Sequence, residues 1–386
     1  MVDPLRRSGC RVRESPSCRA KEASVSVKKN FYSDNVSGAA PEILEALVAA
    51  NAGDTAPYGA DSITEGLQAR FAELFETEVD VYPVGTGTAA NGLCASIVAA
   101  PYGAIYMSEA AHLHGSECGG PEFWSGGNAR PIPVPTVDGK IVVAEMARMV
   151  DEAAARSATE VPPRAVSITQ GTETSTVYSL SEVRGIAEAA RARRLWVHMD
   201  GARLANAVAR LGCTPAEATW KAGVDVLSFG ATKNGALTAE AVVFFNRELA
   251  QTMRYRRRRG GHLFSKMRFL SVQLEAFIAN DLWLRNARHA NAMAQRVREG
   301  LAKIPGVRFR SPTEINFVLV SLPQPVWDGL VAEGYSFSRR GAPSEGIIRI
   351  ACAFDTTEEA VDALVAAAHR HAGTRQGADR PAAVVR

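Results

Sequence analysis

The sequence predicts an α/β protein, with a large domain on a mostly parallel sheet and a small C-terminal α+β domain. Two observations carry this expectation. Between residues 79 and 245, apolar runs of the kind buried on both faces of a parallel sheet alternate with helical patterns. Beyond residue 302, short strand-like runs alternate with helices. The length of 386 residues allows two such units. With 46% hydrophobic and 22% charged residues the composition is that of a soluble globular chain, and no apolar run is long enough to span a bilayer. The net charge of +3 is too small to point to nucleic acid or a membrane surface. Six cysteines lie scattered without Cys-x-x-Cys or Cys/His ligand spacing, which fits reduced cytoplasmic thiols and offers no metal site.

Taken in order, residues 1–29 are polar and rich in Arg and Ser, without periodicity or a signal-peptide core, and are expected to form a disordered extension. A helix is expected from Pro41, with Ile43, Leu44, Leu47 and Val48 at helical spacing, and a second runs to Phe75. Val79–Val84 reads as a strand leading into Gly85-Thr86-Gly87-Thr88-Ala89-Ala90-Asn91 and an apolar helix to Val98. Such a turn cradles a phosphate. Small residues let backbone N–H groups approach the anion, the helix N-terminus adds its dipole, and threonine hydroxyls donate. Dinucleotides use the same logic, but Ala90 stands where Gly-x-Gly-x-x-Gly has its third glycine. The strand Ala104–Met107 ends in Ser108-Glu109, so a ribose-binding acid, and with it an NAD-dependent oxidoreductase, stays open here. The loop Glu109–Glu117 carries His112 and His114. Pro131–Pro135 reads as extended, Val142–Ala155 as a helix with Met146, Met149 and Val150 inward, and Ala165–Thr169 as a strand. Ser179-Leu180-Ser181-Glu182 is a capping box for a helix to Arg193.

The stretch Leu195–Gly235 organises the rest. Its apolar run Leu195–Met199 ends on Asp200, and a second run, Val224–Phe229, ends in Gly230-Ala231-Thr232-Lys233-Asn234-Gly235. Between them lie a helix, Arg203–Leu211, and a capping box, Thr214-Pro215-Ala216-Glu217. Asp-Gly after a strand is ordinarily a turn, and a lysine in a glycine-rich loop is ordinarily solvated. Delivered together beyond the carboxyl edge of two buried strands, an acid and a lysine suggest pyridoxal 5'-phosphate, the lysine holding the cofactor as an imine and Asp200 pairing with its ring nitrogen. A dinucleotide would leave that pair without a role. Ala241–Phe245 follows a loop too short for a crossover and is expected to run antiparallel. Arg254-Tyr255-Arg256-Arg257-Arg258-Arg259 reads as a basic loop, and Phe269–Ala302 as long helical sequence between the domains. In the remainder, Val307–Phe309, Asn316–Val320 and Ile347–Ile350 read as strands, and Val326–Ala332 and Thr357–His369 as helices. Arg349 sits among aliphatic neighbours, where a guanidinium needs an anionic partner. The tail 372–386 is polar and expected to be disordered.

His198-Met199-Asp200-Gly201-Ala202-Arg203-Leu204-Ala205-Asn206-Ala207 with Ser228-Phe229-Gly230-Ala231-Thr232-Lys233-Asn234-Gly235 resembles the low-specificity L-threonine aldolases, fold type I pyridoxal phosphate enzymes of the aspartate-aminotransferase-like class. The resemblance runs from about Phe31 to about Ala368 through several separated motifs in order. It implies a transferase-like large domain over 30–268, N-terminal arm included, on a mostly parallel seven-stranded sheet. Linking helices and the small domain would occupy 269–371. It implies that Lys233 carries the cofactor, Asp200 meets its ring nitrogen, His112 lies on the ring face, and Gly87 and Thr88 hold the phosphate. Ser33, Arg203 and Arg349 would bind the substrate carboxylate, Tyr58 would serve the cofactor or the subunit boundary, and the Arg254–Arg259 run would reach the cofactor phosphate of an adjoining subunit. His112, directly or through a held water, is the expected base. Relatives often carry Asn-Thr-His near Gln170-Gly171-Thr172-Glu173, and this chain does not. The implied reaction is reversible retro-aldol cleavage of L-threonine or L-allo-threonine to glycine and an aldehyde. Another pyridoxal phosphate lyase or hydroxymethyltransferase acting on serine or phenylserine is the alternative. The implied assembly is a cytoplasmic homotetramer, a dimer of dimers with sites at the dimer interface, taking a small amino acid and neither nucleic acid nor membrane.

Overall fold

The computed structural model describes residues 29–373 except 157, 159 and 342–344. The expected extension, but for residue 29, and the expected tail beyond residue 373 lie outside the described residues.

The first half of the chain builds a strand–helix alternation. Helix α1 (Pro41–Ala50) opens with proline in its first turn, and α2 (Ser62–Phe75) is capped by Asp61, whose Oδ1 accepts the Thr64 N–H at 2.8 Å. Then come β1 (Asp80–Val84), α3 (Gly87–Val98), β2 (Gly103–Ser108), the short α4 (His112–Gly115) and α5 (Gly120–Ser125), and β3 (Ala129–Val134). A small hairpin of β4 (Thr136–Val137) and β5 (Lys140–Ile141) leads to α6 (Val143–Ala155) and β6 (Pro163–Thr169). Helix α7 (Leu180–Arg191) starts at the Ser179–Glu182 capping box, and β7 (Trp196–Gly201) and α8 (Leu204–Leu211) follow. The second capping box, Thr214–Glu217, opens α9 (Pro215–Ala218) ahead of β8 (Val226–Gly230) and β9 (Glu240–Phe244).

These strands form one seven-stranded sheet in the order β1-β9-β8-β7-β6-β2-β3. Only β9 runs against the others, pairing antiparallel with β1 and β8, as its short connection requires. Both faces are covered. One packs Val197, Met199, Leu227 and Phe229 against α2, α6, α7 and the later α12, and the other packs Val226, Val242 and Phe244 against α3. Helix α3 is buried on every side from Ala89 to Val98, so its Ala-rich composition reflects close packing rather than a solvent face.

After α10 (Arg247–Ala250) and α11 (Met253–Arg259) come α12 (Arg268–Ile278) and α13 (Leu282–Leu301). The long helical sequence expected over Phe269–Ala302 is thus divided into two helices. Asn280 and Asp281 adopt φ of 52° and 56°, and these residue types enter the left-handed region most easily. The expected basic loop is also helical, because buried Met253 anchors α11 and arginine is a good helix former. The C-terminal unit consists of β10 (Arg308–Phe309), β11 (Phe317–Ser321), α14 (Gln324–Ala332), β12 (Ser338–Arg340), β13 (Ile347–Ala351) and α15 (Glu358–Gly373), its antiparallel sheet ordered β10-β11-β13-β12. Strand β12 had no counterpart in the sequence reading. Phe31 belongs to this unit's core, and its backbone exchanges hydrogen bonds with Ser336 and Ala351 at 2.9 Å each. On α1, Ile43 is buried as its spacing predicts, but Leu44 and Val48 stay 48% and 75% exposed.

Candidate active site

Two strand ends set the site. On β7, Val197 and Met199 point into one core, so alternation turns His198 and Asp200 toward α3 on the other face. The next strand brings its own carboxyl end close. A Cβ on Gly201 would lie 2.8 Å from the Ser228 carbonyl, and one on Gly230 would lie 2.6 Å from Ala202 Cα, so only glycine permits the approach. Beyond Gly230 a single 3₁₀ turn, Thr232–Asn234, carries Lys233. Asp200 and Lys233 line one cavity of about 380 Å³, within the range of about 300–1,000 Å³ typical of small-molecule sites.

The N-terminus of α3 forms another wall. Thr86 caps it, its Oγ1 accepting the Ala89 N–H at 3.1 Å. Gly87 and Thr88 line the cavity, and a Cβ on Gly87 would meet only open space. The free first-turn amides and the helix dipole make that space attractive to an anion. One turn further in, the Asn91 side-chain amide donates both its hydrogens, to Asp200 Oδ2 and to Glu117 Oε1, each at 2.9 Å. The Ala202 N–H holds Asp200 Oδ1 at 2.9 Å, and His112 Nδ1 lies 2.9 Å from Glu117 Oε1. A single buried amide thus fixes the carboxylate at the end of β7 and, through Glu117, the imidazole over the cavity. Beneath Asp200, His198 lies 2.9 Å from Ser167 Oγ and 3.0 Å from Ser228 Oγ. Burial pushes its imidazole down to about 4 against the opposing pull of Asp200, so it is neutral at pH 7. Burial also pushes Glu240, behind Lys233, up to about 7, although Thr232 and Lys233 act the other way.

A second cavity of about 490 Å³ shares Asn35, His112 and Lys233 with the first. Its walls bring together Ser33, Arg203 and Arg349, and also Glu173, Arg310 and Arg340. Arg203 is held by buried Asp34, with Nε 2.8 Å from Oδ2 and a terminal nitrogen 3.1 Å from Oδ1. Burial opposes the charge on Asp34, yet Arg203, Lys233 and the Asn316 amide outweigh it and keep the acid far below the ordinary carboxylate range. Ser33 Oγ turns to Asp34 Oδ1 at 3.3 Å and caps the turn Asp34–Val36. Arg349 touches the Tyr32 carbonyl at 3.2 Å and leaves Nε buried without a partner among the described residues. Burial, followed by repulsion from Arg203 and Arg340, lowers it to about 10. Arg203, Arg310, Arg340 and Arg349 line this cavity with Lys233 against Glu173 and Glu345, with Asp34 behind Arg203, and a bound anion would relieve the excess of positive charge.

Other residues singled out in the sequence fall at the margin. His114 faces the Glu109 carbonyl at 3.2 Å. Tyr58 is exposed, with the Arg258 guanidinium 5.0 Å from its ring, and Arg257 tucks against the Tyr82 ring and the Pro83 carbonyl. The sequence reading overlooked Asp34, Asn91 and Arg340. Asn91 alone left a usable signal, a polar residue inside an otherwise apolar helix that opens at a phosphate-type turn.

Comparison with known proteins places these residues in context. The model of the beta-eliminating lyase family matches residues 30–323. The low specificity L-threonine aldolase of Pseudomonas aeruginosa is 42% identical over 337 residues, covering 87% of this chain and 96% of that protein. The enzyme of the same name from a Pseudomonas species is 42% identical over 339 residues, covering 88% and 96%. Among solved structures, a threonine aldolase from Leishmania major superposes with a TM-score of 0.83 at 26% identity, covering 89% of this chain and all of that one.

Proposed function

The chain belongs to the beta-eliminating lyase family and, within it, to the low-specificity L-threonine aldolases, and from that footing we propose that it cleaves L-threonine and L-allo-threonine reversibly to glycine and acetaldehyde, with pyridoxal 5'-phosphate as its cofactor. The observation that supports this most is the pair of adjoining cavities with Lys233 on the wall of both. The cofactor fits the first. An anion cradle at Gly87 and Thr88, an acid at Asp200 and a lysine amine surround a space of the right order, and among the described residues no other lysine lines either cavity. When bound, pyridoxal 5'-phosphate supplies an electron sink for the pair released from a bond at Cα.

The protein's own groups do the rest. The first-turn amides of α3 and the Thr88 hydroxyl hold the phosphate. Asp200, fixed by Asn91 and Ala202, keeps the proton on the ring nitrogen, and the neutral His198 beneath it adds no competing charge. Lys233 would hold the cofactor through its amine, at the junction of the two cavities where a substrate amine could reach it. His112, braced by Glu117 on the cavity wall, would lie against the bound cofactor and narrow access for water. Arg349, with its unpaired Nε, and Arg203 take the substrate carboxylate, with Ser33 beside them. That clamp fixes the direction of the Cα–Cβ bond, and the direction selects which bond breaks.

Assembly as a cytoplasmic homotetramer agrees with Leu44 and Val48, which α1 leaves bare, and with the free thiols of Cys94, Cys118 and Cys213. The test is product analysis. The purified protein with cofactor and L-threonine should release acetaldehyde and glycine in equal amounts. Pyruvate from serine, or formaldehyde transfer to a folate, would favour the other lyases of this cofactor class.

A further inference from the structure

Glu173 is a sequestered carboxylate to which the scheme above gives no work. It follows β6, and its Oε1 accepts the His112 backbone N–H at 2.9 Å and the Thr169 hydroxyl at 3.0 Å. Its Oε2 is closed off from solvent and has no partner among the described residues. The residue lines the second cavity with Lys233, His112, Arg203 and Arg349, on the side where the substrate would sit. Burial first, then the charge of Asp200, raises this acid above the ordinary carboxylic range, so it holds a proton more readily than a solvated glutamate. His112 Nδ1 is engaged with Glu117, which leaves its Nε2 as the nitrogen able to handle a proton.

The geometry assigns to Glu173 the proton of the substrate's β-hydroxyl group, which its carboxylate accepts as the Cα–Cβ bond breaks and returns in synthesis. This deepens the aldolase activity proposed above and rests on it. The hydroxyl O–H bond breaks, its proton bonds to the carboxylate, and its electron pair closes the carbonyl of the departing aldehyde. The Cα–Cβ pair stays with the α-carbon, which takes one proton to leave as glycine, so no proton is gained or lost overall. The groups that face Glu173 are Asp200 and Tyr178, Arg340, and the His112, Arg203, Arg310, Glu345, Arg349 and Lys233 side chains on the shared walls.

The test is E173Q in the cofactor-loaded enzyme. Glutamine's carbonyl keeps both contacts that Oε1 makes, so a purely structural role predicts little change. Removing a general base should lower kcat for threonine cleavage about 100-fold or more. Exchange of the glycine α-hydrogen with deuterated solvent needs the same carboxylate clamp and no hydroxyl proton, so it should stay within about 3-fold. The unfolding midpoint should not move, and the acid limb of the wild-type pH profile should vanish. E173D, which keeps an acid, should recover part of the cleavage rate. Cleavage within a few-fold of wild type, equal loss of both reactions, or no recovery in E173D overturns the assignment. Wild-type enzyme that exchanges glycine but releases no aldehyde overturns the activity itself, and this role with it.

Discussion

Replacing Asn91 with alanine should damage the site more than any substitution of similar size nearby. Its amide spans two buried carboxyl groups, Asp200 and Glu117, at 2.9 Å each. A hydrogen bond to a charged group contributes about 1.5–3 kcal/mol, so losing both removes about 3–6 kcal/mol if neither is replaced. The cavity admits water at this wall, and a water entering the hole recovers part of that, which makes about 3 kcal/mol the working figure. Because both bonds exist before any ligand arrives, the loss should appear first in denaturant unfolding of the cofactor-free protein. Cofactor retention should weaken as well, by about 10-fold or more, since a poorly held Asp200 no longer presents its oxygen to the ring nitrogen. Asn91→Asp, which sets a third carboxylate against the other two, should be worse than alanine. The assays are urea unfolding and a cofactor titration followed by absorbance. If Asn91→Ala unfolds within about 0.5 kcal/mol of wild type and binds cofactor equally well, Asn91 is not the brace described.

Two further outcomes follow from the same geometry. Arg349→Lys keeps the charge but loses the planar fork, so KM for L-threonine should rise about 10- to 100-fold while the bound-cofactor spectrum stays unchanged; an unaltered KM would exclude Arg349 from the carboxylate clamp. Glu240 is pushed up from its ordinary 4.5 to about 7. A raised folded value means that its neutral form favours the folded state below about pH 4.5, and that this contribution fades as pH rises through about 7. The shift corresponds to on the order of 3 kcal/mol, and Glu240→Gln should flatten that part of the stability profile of the cofactor-free protein, measured by denaturation at several pH values; an unchanged slope would contradict it.

The fold was legible wherever one physical signal dominated. Buried-strand runs ending on Asp200 and before Lys233 carried the parallel strands, and the two capping boxes marked where their helices begin. The antiparallel β9 followed from loop length alone. Features set by tertiary context were harder to see. Nothing in helix propensity separates α12 from α13 except Asn280 and Asp281, whose ease in the left-handed region is permissive rather than decisive. Leu44 and Val48 repeat at helical spacing yet face outward, because periodicity reports an apolar stripe and not what covers it. In the site, residue type and motif pointed to side chains that line the two cavities, and not to those that hold them in place. Asp34 is a turn residue until Arg203 closes on it from across the chain, and Arg340 rides a three-residue strand too short to leave a pattern. Glu173 closes the stretch Gln170-Gly171-Thr172-Glu173, where nothing in the sequence marks it out.

The most direct test traps the cofactor where it is held. The loaded enzyme is reduced with borohydride, digested, and the pyridoxyl mass located by peptide sequencing. The label should fall on Lys233 at one per chain, and Asp200→Ala should lose most of it by releasing cofactor before reduction. A label on another lysine, or full labelling that ignores Asp200, would contradict a ring held between those two side chains.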